Sequence, residues 1–138
     1  MSAVVLDTNI IVAGLLARRG ASSALVGALF NDRLQLAYTP EIIGEYAEVL
    51  ARPEFAHEIE PADRIGLILK MRTSGLLVKP IAVSSVGWPD VDDLPFVAAA
   101  LATESRIVVT LNPRDFAPAE ALGVRVLSPS QARRKLLP

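Results

Sequence analysis

The chain has no cysteine and only one histidine, His57, among its 138 residues. Without cysteine there is no disulfide, no thiolate metal site and no cysteine nucleophile. A single imidazole excludes a histidine-rich zinc centre. His57, set in Phe55-Ala56-His57-Glu58-Ile59, reads as a loop or surface residue and not as a catalytic base. Nucleotide motifs are missing too: there is no Gly-x-x-x-x-Gly-Lys-Ser/Thr run, and no Gly-x-Gly-x-x-Gly follows the first apolar run. Gly14 and Gly27 fall inside helical stretches, where close helix packing explains them better than phosphate binding. No apolar stretch reaches the roughly 20 residues of a membrane span, and no basic-then-apolar leader precedes the first strand. A cytoplasmic protein is the simplest expectation.

What the chain does have is apolar content. At 51% hydrophobic residues it reads as an ordered α/β protein, one domain over 1–138. Its 14 basic and 15 acidic residues nearly cancel, for a net charge of −1. If several acids gather at one site, the remaining surface is mildly basic, which is compatible with a phosphate backbone.

Short β-type runs alternate with helical segments, the pattern of a parallel sheet covered on both faces. The strands are expected at Val4–Leu6, Leu36–Tyr38, Leu76–Val78, Ile107–Thr110 and Val124–Leu127. Thr39-Pro40-Glu41 opens a helix that runs to about Leu50, with Thr as cap and Pro at the first helical position. Another runs from Pro61 to Ser74-Gly75, where glycine supplies the stop. A third is expected over Asp93–Glu104, and a last one after Ser128-Pro129. Segments 10–17 and 22–31 read as a helical pair broken near Gly20. Their apolar content exceeds what one small core needs, so a homodimer is a further expectation, with extra core packing as the alternative. Pro80–Pro89 is the one long loop.

The chemistry lies in the acids. Asp7 follows the apolar run Val4-Val5-Leu6, at the carboxyl end of a strand, where open α/β sheets bind their ligands. Thr8 and Asn9 either orient it or cap the next helix. Glu45 lies at the edge of a helical stripe formed by Ile42, Ile43, Tyr46, Val49 and Leu50, beside Ile42 and Val49. Taken alone, it reads first as a solvated glutamate. Asp93 falls within the stripe Phe96, Val97, Ala100 and Leu101 of its helix. A carboxylate there needs a partner, or else Asp92 or Asp93 is an N-cap. Thr110-Leu111-Asn112-Pro113-Arg114-Asp115 again follows a strand, so Asn112 and Asp115 are either oxygen ligands or turn formers. Carboxylates that converge with no evident basic partner suggest a divalent metal site.

Strand–Asp7-Thr8-Asn9, a helical Glu45, Asp92-Asp93-Leu94-Pro95-Phe96 and Thr110-x-Asn112-x-x-Asp115-Phe116 occur in the order found in PIN domains. The chain resembles that family over nearly its whole length, and Arg52-Pro53 also matches it. The likeness is greatest to the toxins of toxin–antitoxin pairs, the VapC kind included. The resemblance implies a three-layer α/β/α fold with a central parallel sheet of about five strands. It also implies Mg²⁺- or Mn²⁺-dependent cleavage of RNA, leaving a 5′-phosphate and a 3′-hydroxyl, and a small antitoxin protein as partner. Carried over, the metal-binding and catalytic acids are Asp7, Glu45, Asp93 and Asp115, with Thr8 supporting Asp7 and with Asn9, Thr110 and Asn112 nearby. Leu111 and Asn112 depart from the Thr-Gly-Asp or Thr-Gly-Asn of many relatives. That departure leans the metal on Asp7, Glu45 and Asp93, with Asp115 weaker or water-mediated.

Hard cations such as Mg²⁺ and Mn²⁺ suit a set of carboxylate oxygens, and they activate water and polarise a phosphate. Arg18, Arg19, Arg52 and Arg114 are candidate phosphate contacts, though surface solubility explains them equally well. Two rivals remain open. One is a non-catalytic binding module with a weakened metal site, favoured by Leu111 and Asn112. The other is a metal-dependent phosphatase, ranked lower because Asp7-Thr8-Asn9 lacks a second Asp two residues on.

Overall fold

The five apolar runs form strands in the computed structural model, which describes residues 2–138: β1 (Val5–Leu6), β2 (Ala37–Tyr38), β3 (Leu76–Leu77), β4 (Ile107–Val109) and β5 (Arg125–Leu127). All pairings are parallel. The expected single sheet is divided into two ladders, β1-β4-β5 and β2-β3. They meet at a parallel bridge between Val4 and Leu36, where the Ala37 amide donates to the Val4 carbonyl at 2.8 Å. The resulting order across the fold is β3-β2-β1-β4-β5. Winding reverses between β1 and β4, so the crevice beyond their carboxyl ends is the switch point where such sheets bind ligands.

Helices α1 (Thr8–Leu16), α2 (Ala21–Phe30), α3 (Pro40–Leu50), α4 (Pro61–Ser74), α5 (Leu94–Leu101), α6 (Ala117–Glu120) and α7 (Pro129–Leu136) connect and cover the strands. Val5 and Leu6 point to opposite faces, and both are fully buried, so β1 is covered on both sides. Helix α5 lies against β1, β2 and β4, while α7 packs on β5 and α2. The α/β architecture that the resemblance implies is present.

Capping follows the sequence in two places. The Thr39 hydroxyl accepts from the Ile42 amide at 3.2 Å to start α3, and Ser128 and Gln131 form a reciprocal capping box at α7. The stop at Gly75 has a different cause from the one expected. Its φ of −76° is not left-handed; instead a Cβ there would sit 2.4 Å from the Met71 carbonyl, so close approach demands glycine. Helix α5 is shorter than expected at both ends. It is preceded by a 3-10 turn at Val91–Asp93, and the Thr103 hydroxyl takes the Ala100 carbonyl at 2.7 Å just past its last residue.

Helices α1 and α2 meet at 93°, and neither is long and apolar enough to cross a membrane. Ile10, Ile11, Leu25, Val26 and Leu29 are buried, so most of their apolar content is used within one chain. Gly14 explains their close contact, since a Cβ there would lie 2.3 Å from Val26 Cγ2. Gly27 does not share that role: a Cβ there meets nothing within 4 Å. His57 is exposed, as expected.

Candidate active site

Asp7 stands at the carboxyl end of β1, and its amide continues the ladder by donating to the Val109 carbonyl at 2.9 Å. It occupies the N-cap position of α1, yet its side chain makes no cap hydrogen bond. The carboxylate turns instead across the switch point, where Thr110 at the end of β4 donates to Oδ2 at 2.9 Å. Thr110 is fully buried, and its oxygen also accepts from the Asn112 amide at 3.1 Å. One hydroxyl therefore fixes both Asp7 and the turn after β4.

Thr8 serves two acids: its amide bonds to the Asp7 carboxylate, and its hydroxyl reaches a second one. Its hydroxyl donates to Glu45 Oε2, joining the first turn of α1 to the middle of α3. Glu45 is half-buried and not fully solvated. Its neighbour Tyr46 belongs to the apolar stripe, yet its phenol donates to the Leu6 carbonyl in the buried interior. A fully buried tyrosine in an aliphatic stripe carries a hydroxyl that needs a partner, and that signal was present in the sequence.

Asp93 ends the 3-10 turn and is half-buried. It does not act as a side-chain cap for α5. Asp90 caps the preceding 3-10 turn, its Oδ1 accepting from the Asp92 amide at 2.9 Å. Asp93, making no cap bond, is left to face the other acids. Asp115 is exposed on the 3-10 turn Pro113–Phe116, with its amide donating to the Asn112 carbonyl at 3.1 Å. Asn9 and Asn112 are exposed at the rim. The long loop is anchored by Trp88, whose ring meets the buried Phe116 edge-on, with centroids 6.4 Å apart. This contact ties the segment carrying Asp90–Asp93 to the turn carrying Asp115.

Like charges crowd here without a counter-charge. Among the described residues, none of Asp7, Glu45, Asp93 and Asp115 has a lysine or arginine at ion-pair distance. Burial pushes the Asp7 carboxyl above its ordinary range and Asp90 adds to this, while the Thr110 hydroxyl and Thr8 amide oppose it. Burial also raises Glu45; the Thr8 hydroxyl works against that rise, and Asp7, Asp92 and Glu48 reinforce it. Asp93 is pushed up to about 7, first by burial and then by Asp7, Asp90, Asp115 and Asp92. Each shift marks a carboxylate that a cation would stabilise.

Among the described residues, no three acids form a ready-made metal cage. Mg²⁺ ordinarily keeps several waters and takes only one or two carboxylates, so an oxygen-only, unneutralised set of this kind fits it without a cage.

A family model described as PIN domain matches residues 3–114. The chain belongs to the PIN-domain family. The matched span includes Asp7, Glu45 and Asp93 and stops one residue short of Asp115. No curated protein and no solved structure matches the chain. PIN domains are generally nucleases and typically use a divalent metal, so membership points to a nuclease-type function with a nucleic-acid substrate.

Proposed function

We propose that this PIN domain is an endoribonuclease dependent on Mg²⁺ or Mn²⁺, and the toxin of a type II toxin–antitoxin pair. One observation carries the catalytic part: Asp7, Glu45 and Asp93 come from three separate segments, the pKa of each is raised first by burial, Asp7 raises the other two, and none has a basic partner among the described residues. The toxin assignment and the small antitoxin partner rest on the sequence resemblance.

In this reading Asp7, Glu45 and Asp93 would hold the cation, with Asp115 as a weaker or water-mediated ligand. A bound divalent ion supplies charge neutralisation and a more acidic water. Thr110 and Thr8 hold Asp7 and Glu45 in place, so little reorganisation is needed when the substrate arrives. The Asp93 carboxyl, pushed up to about 7, would ionise more readily beside a bound cation. Water attacks phosphorus in line, the bond to the 3′-oxygen breaks, and that oxygen takes up a proton. The products carry a 5′-phosphate and a 3′-hydroxyl.

The test is cleavage of labelled RNA by wild type and Asp7→Asn with Mg²⁺, Mn²⁺ or EDTA. Metal-dependent cutting that Asp7→Asn abolishes is the expected result; an equally active variant would sink the assignment. Growth arrest on expression, relieved by a small protein encoded beside this gene, would support the toxin role.

A non-catalytic binding module is the second reading, favoured by the departure at Leu111-Asn112 and by the open spacing of the acids. RNA binding without cutting, across several RNAs, would select it. Turnover of phosphomonoesters alone would select the phosphatase.

A further inference from the structure

Charge is sorted along the strand direction in this fold. The acids Asp7, Asp93 and Asp115 all follow the carboxyl ends of strands or lie beside them. The opposite rim is net basic, although Glu104 and Glu120 also come shortly before β4 and β5. Arg33 lies in the turn leading into β2, Arg106 immediately precedes β4, and Arg125 opens β5. Helix α7 leaves the carboxyl end of β5 and returns along it, which brings Arg133, Arg134 and Lys135 to the same rim.

Three of these residues line one feature. An open cleft of about 510 Å³ between α2 and α7 is walled by Arg33, Arg133 and Arg134, with Asn31 beside them. All three arginines are exposed, and among the described residues none has an ion-pair partner. Neither α2 nor α7 carries an acidic residue. Asp32, the nearest acid in sequence, is held by Lys70 at 2.7 Å. Cations in the last turn of α7 also suit the helix dipole. That does not account for Arg33, which comes from another element into the same cleft.

We propose that the α2–α7 cleft is a second binding site for the phosphate backbone of the nucleic-acid substrate, at the end of the sheet opposite the carboxylates. This rests on the nucleic-acid reading above. The acidic rim repels a polyanion except where a cation bridges it, whereas this rim attracts one without help. Arginine forks pair with phosphate oxygens, and such contacts position a backbone without reading its sequence. An RNA folded on itself, or one longer than the scissile segment, would be held at both rims.

The experiment is fluorescence anisotropy of a labelled single-stranded RNA of mixed sequence, with the full chain in EDTA, where no cutting occurs. Wild type is compared with Arg33→Gln/Arg133→Gln/Arg134→Gln and with a charge-matched variant, Arg64→Gln/Arg72→Gln/Lys79→Gln. Circular dichroism checks that both fold. Each phosphate contact contributes about 0.7 to the slope of log K against log salt, so losing three lowers it by about 2 and weakens binding at least ten-fold. The charge-matched variant retains the wild-type slope. Equal binding by wild type and the cleft variant, or equal loss in both variants, would overturn the proposal. Binding of poly-glutamate in place of RNA, lost in the cleft variant, would also overturn it and assign the rim to an acidic protein. Cleavage with Mg²⁺ is scored separately: an RNA-binding chain that never cuts removes the nuclease reading and leaves this site standing.

Discussion

The Tyr46 phenol donates to the Leu6 carbonyl and so fastens the middle of α3 to the residue before Asp7. Glu45 is the preceding residue on the same helix, and the Thr8 hydroxyl secures it. Two adjacent side chains thus fix α3 against the end of β1 and the start of α1. Tyr46→Phe keeps the ring and deletes the bond, leaving a buried carbonyl short of a donor. The expected cost is about 1–2 kcal/mol in urea unfolding. Cleavage should also slow at equal folded fraction, because Glu45 loses its neighbouring anchor. Wild-type stability in the variant would show that another donor serves Leu6.

Thr110 offers a cleaner separation of positioning from structure. Its hydroxyl donates to Asp7 and opposes the upward push of burial on that carboxyl. Thr110→Val preserves shape and removes the donor, so Asp7 should ionise at still higher pH. The acid limb of the cleavage–pH profile should move upward, with activity down about 10–100-fold, the usual cost of losing a partner behind a metal ligand. Thr110→Ser should restore most of both. A valine variant that is slow but keeps an unshifted profile would assign Thr110 to packing alone.

The backbone plan was legible because it rests on local chemistry. Apolar runs, Thr39-Pro40 and Ser128-Pro129 carry their own signals, and the strands and helix starts fall where those signals place them. Asp7 was legible for the same reason, since a strand's end announces itself. Partner choice was not. That the Thr110 hydroxyl also serves Asp7 depends on which strands are neighbours, and β1 and β4 are a hundred residues apart in sequence. The role of Asp93 is equally a matter of turn geometry, which residue types alone do not determine. A 3-10 turn capped by Asp90 precedes α5, and Asp93 stands at the helix start without a side-chain cap bond. The basic cleft joins residues from α7 and the turn before β2, and no sequence window contains both.

Gly14 and Gly27 should respond to alanine in opposite directions. At Gly14 a methyl group meets Val26 Cγ2 at 2.3 Å and the Ser22 carbonyl at 2.7 Å, and the carbonyl cannot easily yield. Overpacking of this kind costs about 1–3 kcal/mol. At Gly27 the methyl meets nothing within 4 Å, and the residue is helical. There Gly27→Ala should stabilise by roughly 0.5–1 kcal/mol through helix propensity. Thermal melts of the two variants check both signs. A stable Gly14→Ala protein would mean that α1 and α2 separate at little cost.

The acids set the pH dependence of stability, and the sign follows from their shifts. Asp93 has a folded pKa of about 7 against an ordinary 3.8, so the folded state holds a proton that the unfolded state has already released. Its stabilising contribution is complete below the unfolded value and is lost as pH rises through about 7; Asp7 and Glu45, also raised, act in the same direction. Because Asp93 is only half-buried, solvent screens it and the full shift overstates the effect, and ~1 kcal/mol or roughly 4 °C in Tm is the expected scale for it. Metal-free protein should therefore melt lower at pH 8 than at pH 5.5, and Asp93→Asn should shrink that difference. Mg²⁺ should raise Tm more at pH 8, where the carboxylates are ionised and ready to bind it. If Mg²⁺ stabilised the protein equally at both pH values, or Asp93→Asn left the slope intact, these acids would not be the cation's ligands.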